Sequence, residues 1–249
     1  MIPTSLAGRP SERAPFLLVL HGYGGSGASF ARHLQLSRLA EKRGFIYLAP
    51  DGEPDARGNR FWNAGPACCD FEARDVDHVL LLGALLGRAS TATRVDPKRI
   101  YVLGYSNGGF MAHRLGCDVA GIRGILSVAG AGVADVSKCE HAPEVVVEVH
   151  GDADVVVPFD GGHVLSRKDV PSHLGALATV TGWATKKGCS AAPRPMGALD
   201  LEPGIPESET ERLSFSCAEN VTLLKVKGAG HSLASSPPAI DALMDQLMK

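Results

Sequence analysis

No stretch of the 249 residues approaches the roughly 20 consecutive apolar positions that a bilayer-spanning helix needs, and no membrane is expected as a partner. Positive charge is not in excess either. The 25 Lys and Arg face 27 Asp and Glu, a net charge of -2, and no basic cluster is interleaved with aromatics, which argues against nucleic acid. There is no C-x-x-C pair of the kind that holds zinc, and no histidines and carboxylates share ligand spacing on one element, so no metal is expected. No internal repeat is present, and Met1-Ile-Pro-Thr-Ser has neither the charged start nor the apolar core of a signal peptide.

What the chain does have is apolar content, 45% of residues, enough to bury one large core. Runs of β-branched and aliphatic residues at 16–20, 45–48, 100–103, 124–128, 145–149 and 221–226 are nearly continuous, the pattern of strands covered on both faces. Helical patterns at 30–42, 75–86, 108–116, 174–187 and 240–248 alternate with them. That alternation predicts an α/β fold over 1–249: one domain with a doubly wound, mostly parallel sheet and helices on both faces. Irregular stretches at 51–74 and 188–209 interrupt it. Loop insertions near 51–74 and 159–220 are expected to wall a site, because ligands of such sheets bind beyond the carboxyl ends of the strands.

One segment points to chemistry. Ile100 to Leu103 read as a strand, Gly104, Gly108 and Gly109 leave room for a sharp turn, and Met111, Ala112 and Leu115 begin a helix, so Ser106 stands at a nucleophile elbow. A serine hydroxyl needs a base, a carboxylate to orient that base, and donors for an oxyanion. Asp154 lies a few residues beyond the strand 145–149 and is preferred over Asp152, which sits in the tight turn where it would cap backbone amides. His231, flanked by glycines after the last strand, is the base candidate, completing the order Ser, Asp, His. His21 is expected to shape the first glycine loop, and His150 to brace the aspartate loop. The backbone amides of Tyr23 and Asn107 are the oxyanion-hole candidates. The same loop also matches G-x-G-x-x-G at Gly22, Gly24 and Gly27, with Asp51 after the next strand. A dinucleotide-binding oxidoreductase is therefore the alternative from another class, although it leaves the elbow, Asp154 and His231 unexplained.

With these residues in view, the chain resembles the esterase/polyhydroxybutyrate depolymerase family, feruloyl-esterase-like members of the α/β-hydrolase superfamily. The resemblance rests on Leu20-His-Gly-Tyr-Gly-Gly, Phe61-Trp-Asn-Ala-Gly-Pro-Ala-Cys-Cys, Gly104-Tyr-Ser-Asn-Gly-Gly, His150-Gly-Asp-Ala-Asp-Val-Val-Val-Pro-Phe-Asp-Gly-Gly and Gly228-Ala-Gly-His. It implies a serine carboxylesterase with Ser106, Asp154 and His231 as triad, no cofactor, and a small-molecule or polymeric ester as partner. Aryl, hydroxycinnamoyl or short-acyl esters are favoured over polyhydroxybutyrate-type polyester, since aromatics make up only 6% of the chain. Trp62, Tyr105, Phe159 and Trp183 are the candidate substrate contacts. The family's late cysteine pair corresponds to Cys189 and Cys217, a candidate disulfide flanking the proline-rich stretch; Cys68 or Cys69 with Cys117 or Cys139 is a weaker pairing. A disulfide places the protein in a secreted or periplasmic setting, with its leader outside this sequence, and the cytoplasm is the alternative.

Overall fold

The structure, a computed structural model, describes residues 1–4, 12–202, 204–206, 208–234 and 236–248. In chain order the elements are β1 (Ala14–Leu20), α1 (Gly27–His33), α2 (Leu36–Arg43), β2 (Ile46–Leu48), β3 (Glu53–Pro54), β4 (Arg60–Phe61), α3 (His78–Thr91), β5 (Val95–Tyr105), α4 (Asn107–Asp118), β6 (Gly124–Val128), β7 (Val145–Gly151), β8 (Gly161–Gly162), β9 (His173–Leu174), α5 (Ala176–Lys186), β10 (Arg194–Leu199), β11 (Thr210–Phe215), β12 (Ala218–Val226) and α6 (Pro237–Leu247).

Eight strands form the main sheet in the order β10-β11-β12-β7-β6-β5-β1-β2. The six from β12 to β2 run parallel, while β11 and β10 add an antiparallel edge. The period of two along β1 divides the core. Phe16, Leu18 and Leu20 pack with Leu82, Met111, Leu115 and Trp183 on one face; Leu17 and Val19 pack with Leu36, Phe45, Leu243 and Met244 on the other. Each such side chain taken from water contributes about 1.5–3 kcal/mol, and a polar strand residue on either face is costly without a partner.

Two expectations are corrected. The helical pattern at 30–42 is two helices, α1 and α2, because Gln35 between them is left-handed at φ 50. The stretch 188–209, read as irregular, contains β10, whose Pro195 and Gly197 sit on an exposed edge where no ladder donor is required; its residues 203 and 207 lie outside the described residues.

Disulfides join Cys68 to Cys69, Cys117 to Cys139 and Cys189 to Cys217. The last closes a separation of 28 residues and ties the end of α5 to the β11–β12 turn, a constraint worth roughly 3–4 kcal/mol in the chain-entropy picture. The weaker cross-pairing is not formed: Cys117 ends α4 beside Cys139, and Cys68 pairs with its neighbour in sequence.

The order β6-β5-β1-β2 places the switch of winding direction between β5 and β1. Chain connections leave these two strands in opposite directions, opening a crevice at their carboxyl ends.

Candidate active site

Ser106 sits in that crevice, between β5 and α4, with φ 54 and ψ -118. This is a strained backbone for a residue with a Cβ, and it is fixed from both sides. The Ser106 amide donates to the Val128 carbonyl at 2.8 Å, and the Ser106 carbonyl accepts from Gly109 N at 2.8 Å. The elbow can be this tight because Gly104 lies against the Gly108 backbone; any Cβ on Gly104 would overlap the Gly108 carbonyl.

The structure brings Ser106, His231 and Asp154 together. Ser106 Oγ is 2.9 Å from His231 Nε2, and His231 Nδ1 is 2.7 Å from Asp154 Oδ2. A carboxylate only accepts, so Nδ1 carries the imidazole proton and Nε2 presents its lone pair to the serine. Asp154 Oδ1 accepts from the amides of Val156 and Val157 at 2.8 and 2.9 Å. Burial opposes its charge, but hydrogen bonds from His150, His231 and the Val157 amide outweigh that cost and hold the carboxyl well below the ordinary carboxylate range. A depressed carboxyl stabilises the fold above its unfolded value near about 4 and loses that contribution as pH falls further. Thermal melting of the wild type should therefore weaken steeply below about pH 4, and the same scan on Asp154→Asn should be shallower.

Asp152 has a different place. It is exposed, its Oδ1 accepts from Gly228 N at 2.7 Å, and its Oδ2 lies 3.3 Å from Lys225 Nζ, so it secures the loop that carries His231.

The loop after β1 reaches the elbow. A Cβ on Gly22 would lie 3.0 Å from Tyr105 Cδ1, tighter than an ordinary contact, and 3.4 Å from Ser106 Cβ, and the Tyr23 amide follows directly. Asn107 is the first residue of α4, where an N–H has no intrahelical acceptor. Its side chain, which sequence reasoning passed over, clamps the backbone of Trp62: Oδ1 accepts from Trp62 N at 2.7 Å and Nδ2 donates to Trp62 O at 2.8 Å. Two buried histidines also hold the stretch 51–74. Nε2 of His21 accepts from Gly52 N at 3.0 Å, and Nδ1 of His78 accepts from Asn63 N at 2.9 Å.

The expected substrate contacts are largely corrected. Trp62 is 1% exposed and donates from Nε1 to the His21 carbonyl; Trp183 is 0% exposed and donates to His113 Nδ1. Both indoles are core, each with its N–H satisfied. The half-buried Tyr105 ring lies against His231, and its hydroxyl donates to the His231 carbonyl at 3.0 Å, which steadies the histidine loop. Phe159 stands edge-on to His150 with Lys225 Nζ 5.3 Å above its ring. Tyr23 is the exposed aromatic at the glycine loop; its ring meets Phe71, over which Arg167 stacks at 4.3 Å, and its hydroxyl bonds Asp55.

The dinucleotide alternative loses its anchor. Asp51 Oδ1 accepts from Gly27 N at 2.8 Å, so this carboxylate occupies the N-terminus of α1, the place a pyrophosphate would need, and does not reach toward a ribose. Among the described residues no group of three or more His, Cys, Asp or Glu is arranged to hold a metal ion. None of their helices is long and apolar enough to cross a membrane.

The chain matches no family profile. It is 30% identical over 190 residues to feruloyl esterase B of Piromyces equi, covering 74% of this chain and 34% of that protein. To feruloyl esterase C of Emericella nidulans it is 26% identical over 167 residues, 64% of this chain and 56% of that one. To the poly(3-hydroxybutyrate) depolymerase of Ralstonia pickettii it is 31% identical over 130 residues, 46% of this chain and 25% of that one. The chain thus spans between a quarter and just over half the length of these relatives. Among solved structures, an acetyl xylan esterase from Aspergillus awamori superposes with a TM-score of 0.69 at 14% identity, over 99% of this chain and 91% of that one. Esterase PE8 superposes with 0.58 at 19% identity, over 95% and 94%. The chain has the α/β-hydrolase fold and is a homologue of feruloyl esterases and of a poly(3-hydroxybutyrate) depolymerase.

Proposed function

We propose that the protein is a serine carboxylesterase working through an acyl-enzyme, on one α/β-hydrolase domain whose 51–74 and 159–220 stretches wall the site. The observation that carries the reading is the hydrogen-bonded series Ser106, His231, Asp154 ending at a positive-φ elbow. In acylation, Ser106 Oγ bonds to the ester carbonyl carbon as its proton passes to His231 Nε2. The carbonyl oxygen becomes an oxyanion, held by the amides of Tyr23 and Asn107. Asp154 stabilises the imidazolium, which returns the proton to the departing alcohol as the C–O bond breaks. Water then attacks the acyl-enzyme by the same route and frees Ser106. Each oxyanion donor is worth about 3–4 kcal/mol in the transition state.

For substrate, the reading favours soluble aryl, hydroxycinnamoyl or short-acyl esters. Support comes from the relatives named feruloyl esterases and from Tyr23, an exposed aromatic beside the glycine loop. A second reading, polyester hydrolysis, draws on the exposed Val155 and Leu165, at 80% and 51%, as an apolar rim beside Asp154 that could meet a polymer surface. Three disulfides support an oxidising compartment outside the cytosol. Hydrolysis of methyl ferulate, p-nitrophenyl acetate and a polyhydroxybutyrate suspension is the test. Faster turnover of the soluble esters is expected; faster release of hydroxybutyrate would move the enzyme to the second reading.

A further inference from the structure

Asp154 has a neighbour that the reaction above leaves unused. His150 Nε2 is 2.8 Å from the Val157 carbonyl and 3.5 Å from Asp154 Oδ2, the same oxygen that accepts from His231. A carbonyl only accepts, so Nε2 of His150 carries a proton. Its Nδ1 is 3.2 Å from Glu148 Oε1. The other Glu148 oxygen is 2.8 Å from His113 Nε2, and His113 Nδ1 accepts from the Trp183 indole N–H, which can only donate; the His113 proton therefore sits on Nε2 and is given to Glu148. Glu148 thus receives a donor at Oε2 from outside the pair and faces the second nitrogen of His150 with Oε1. As a carboxylate it makes His150 a donor at both nitrogens.

All of this is dry. Glu148, His113 and His150 are 0–1% exposed. A lone carboxylate or imidazolium there would be far too costly, so the two charges are sustained by each other and by their hydrogen bonds. Burial opposes the His150 charge, yet its bonds to Asp154 and Glu148 and the Glu148 charge outweigh it and push the imidazole up to about 10. Burial likewise opposes the Glu148 charge, and the bonds from His113 and His150 outweigh it and hold that carboxyl down. Other elements bring few charges to the row. His173 on β9 donates Nδ1 to the Leu174 carbonyl, and burial lowers its proton affinity. Lys225 on β12, the register partner of His150, is paired to Asp152 and lies over Phe159.

We propose that His150, kept as an imidazolium by Glu148, is a positioning residue of the esterase: it fixes the Asp154 carboxylate from behind and offsets part of its charge at His231. The inference rests on the reading of Ser106, Asp154 and His231 given above. A cation fixed on the far side of the carboxylate weakens the pull of Asp154 on the proton that His231 takes from Ser106, which eases its passage to the departing alcohol.

Imidazole nitrogen NMR reads this without turnover. In the wild type His150 should stay doubly protonated beyond pH 8, and in Glu148→Gln its titration should fall by more than about one unit. In His150→Gln the acid limb of kcat/KM for p-nitrophenyl acetate should move to higher pH. At a pH below the limb that is a loss of about tenfold. A wild-type His150 that is neutral at pH 7 overturns the proposal even if no variant folds. So does a folded His150→Gln whose acid limb matches the wild type, whatever uniform loss of rate accompanies it. Failure of the esterase reading has another signature, a folded Ser106→Ala that still turns over ester.

Discussion

Ser106→Ala is expected to lower kcat for p-nitrophenyl acetate by about four to six orders of magnitude, because the members of a triad act as a unit and lose nearly everything when the nucleophile goes. The fold should be untouched. The substitution removes one oxygen, and the elbow is held by backbone contacts that alanine retains: the 2.8 Å bond to Val128 and the 2.8 Å bond from Gly109. Alanine inherits the φ of 54 at similar cost. Circular dichroism and melting should therefore match the wild type while turnover vanishes. A matched fold with more than about a tenth of the activity would remove Ser106 from the reaction.

The architecture was legible where the sequence is locally redundant. Runs such as 145–149 and 221–226 are mostly apolar, as a strand covered on both faces needs, and β7 and β12 lie there. That the side chains of Ser106, Asp154 and His231 meet was legible for a related reason: each follows such a strand. What escaped is whatever carries no mark in its own stretch of sequence. An indole looks the same whether it lines a cleft or the core, so only the His21 carbonyl and His113 Nδ1, which accept their N–H groups, place Trp62 and Trp183 in the core. β10 is an exposed edge strand with Pro195 and Gly197, and carries no periodic apolar signal at all. Glu148 did leave a trace. A carboxylate inside Val145-Val-Val-Glu-Val149 has no place in a strand buried on both faces unless something meets it, and His113, 35 residues earlier, does.

Asp154→Asn is expected to lower kcat by about four orders of magnitude, and the hydrogen bonds around the carboxylate say why. Oδ1 accepts from two backbone amides, Val156 N at 2.8 Å and Val157 N at 2.9 Å, and neither donor can turn away. An asparagine must therefore give its carbonyl oxygen to those amides and its NH2 to the oxygen position now facing His231. Two donors then meet at His231 Nδ1, which gives up its proton. The tautomer with the proton on Nε2 takes over and points that proton at Ser106, where it cannot serve as base. Asp152→Asn makes the contrasting case. Its oxygen can still accept from Gly228 N, and what is lost is an ion pair with Lys225 between two part-exposed side chains, worth at most about 1 kcal/mol. Activity should stay within about fivefold of the wild type. The two variants, measured side by side for kcat on p-nitrophenyl acetate with melting as the control for folding, separate the orienting carboxylate from the loop anchor. Comparable losses in both, or an Asp154→Asn within tenfold of the wild type, would take the orienting role away from Asp154.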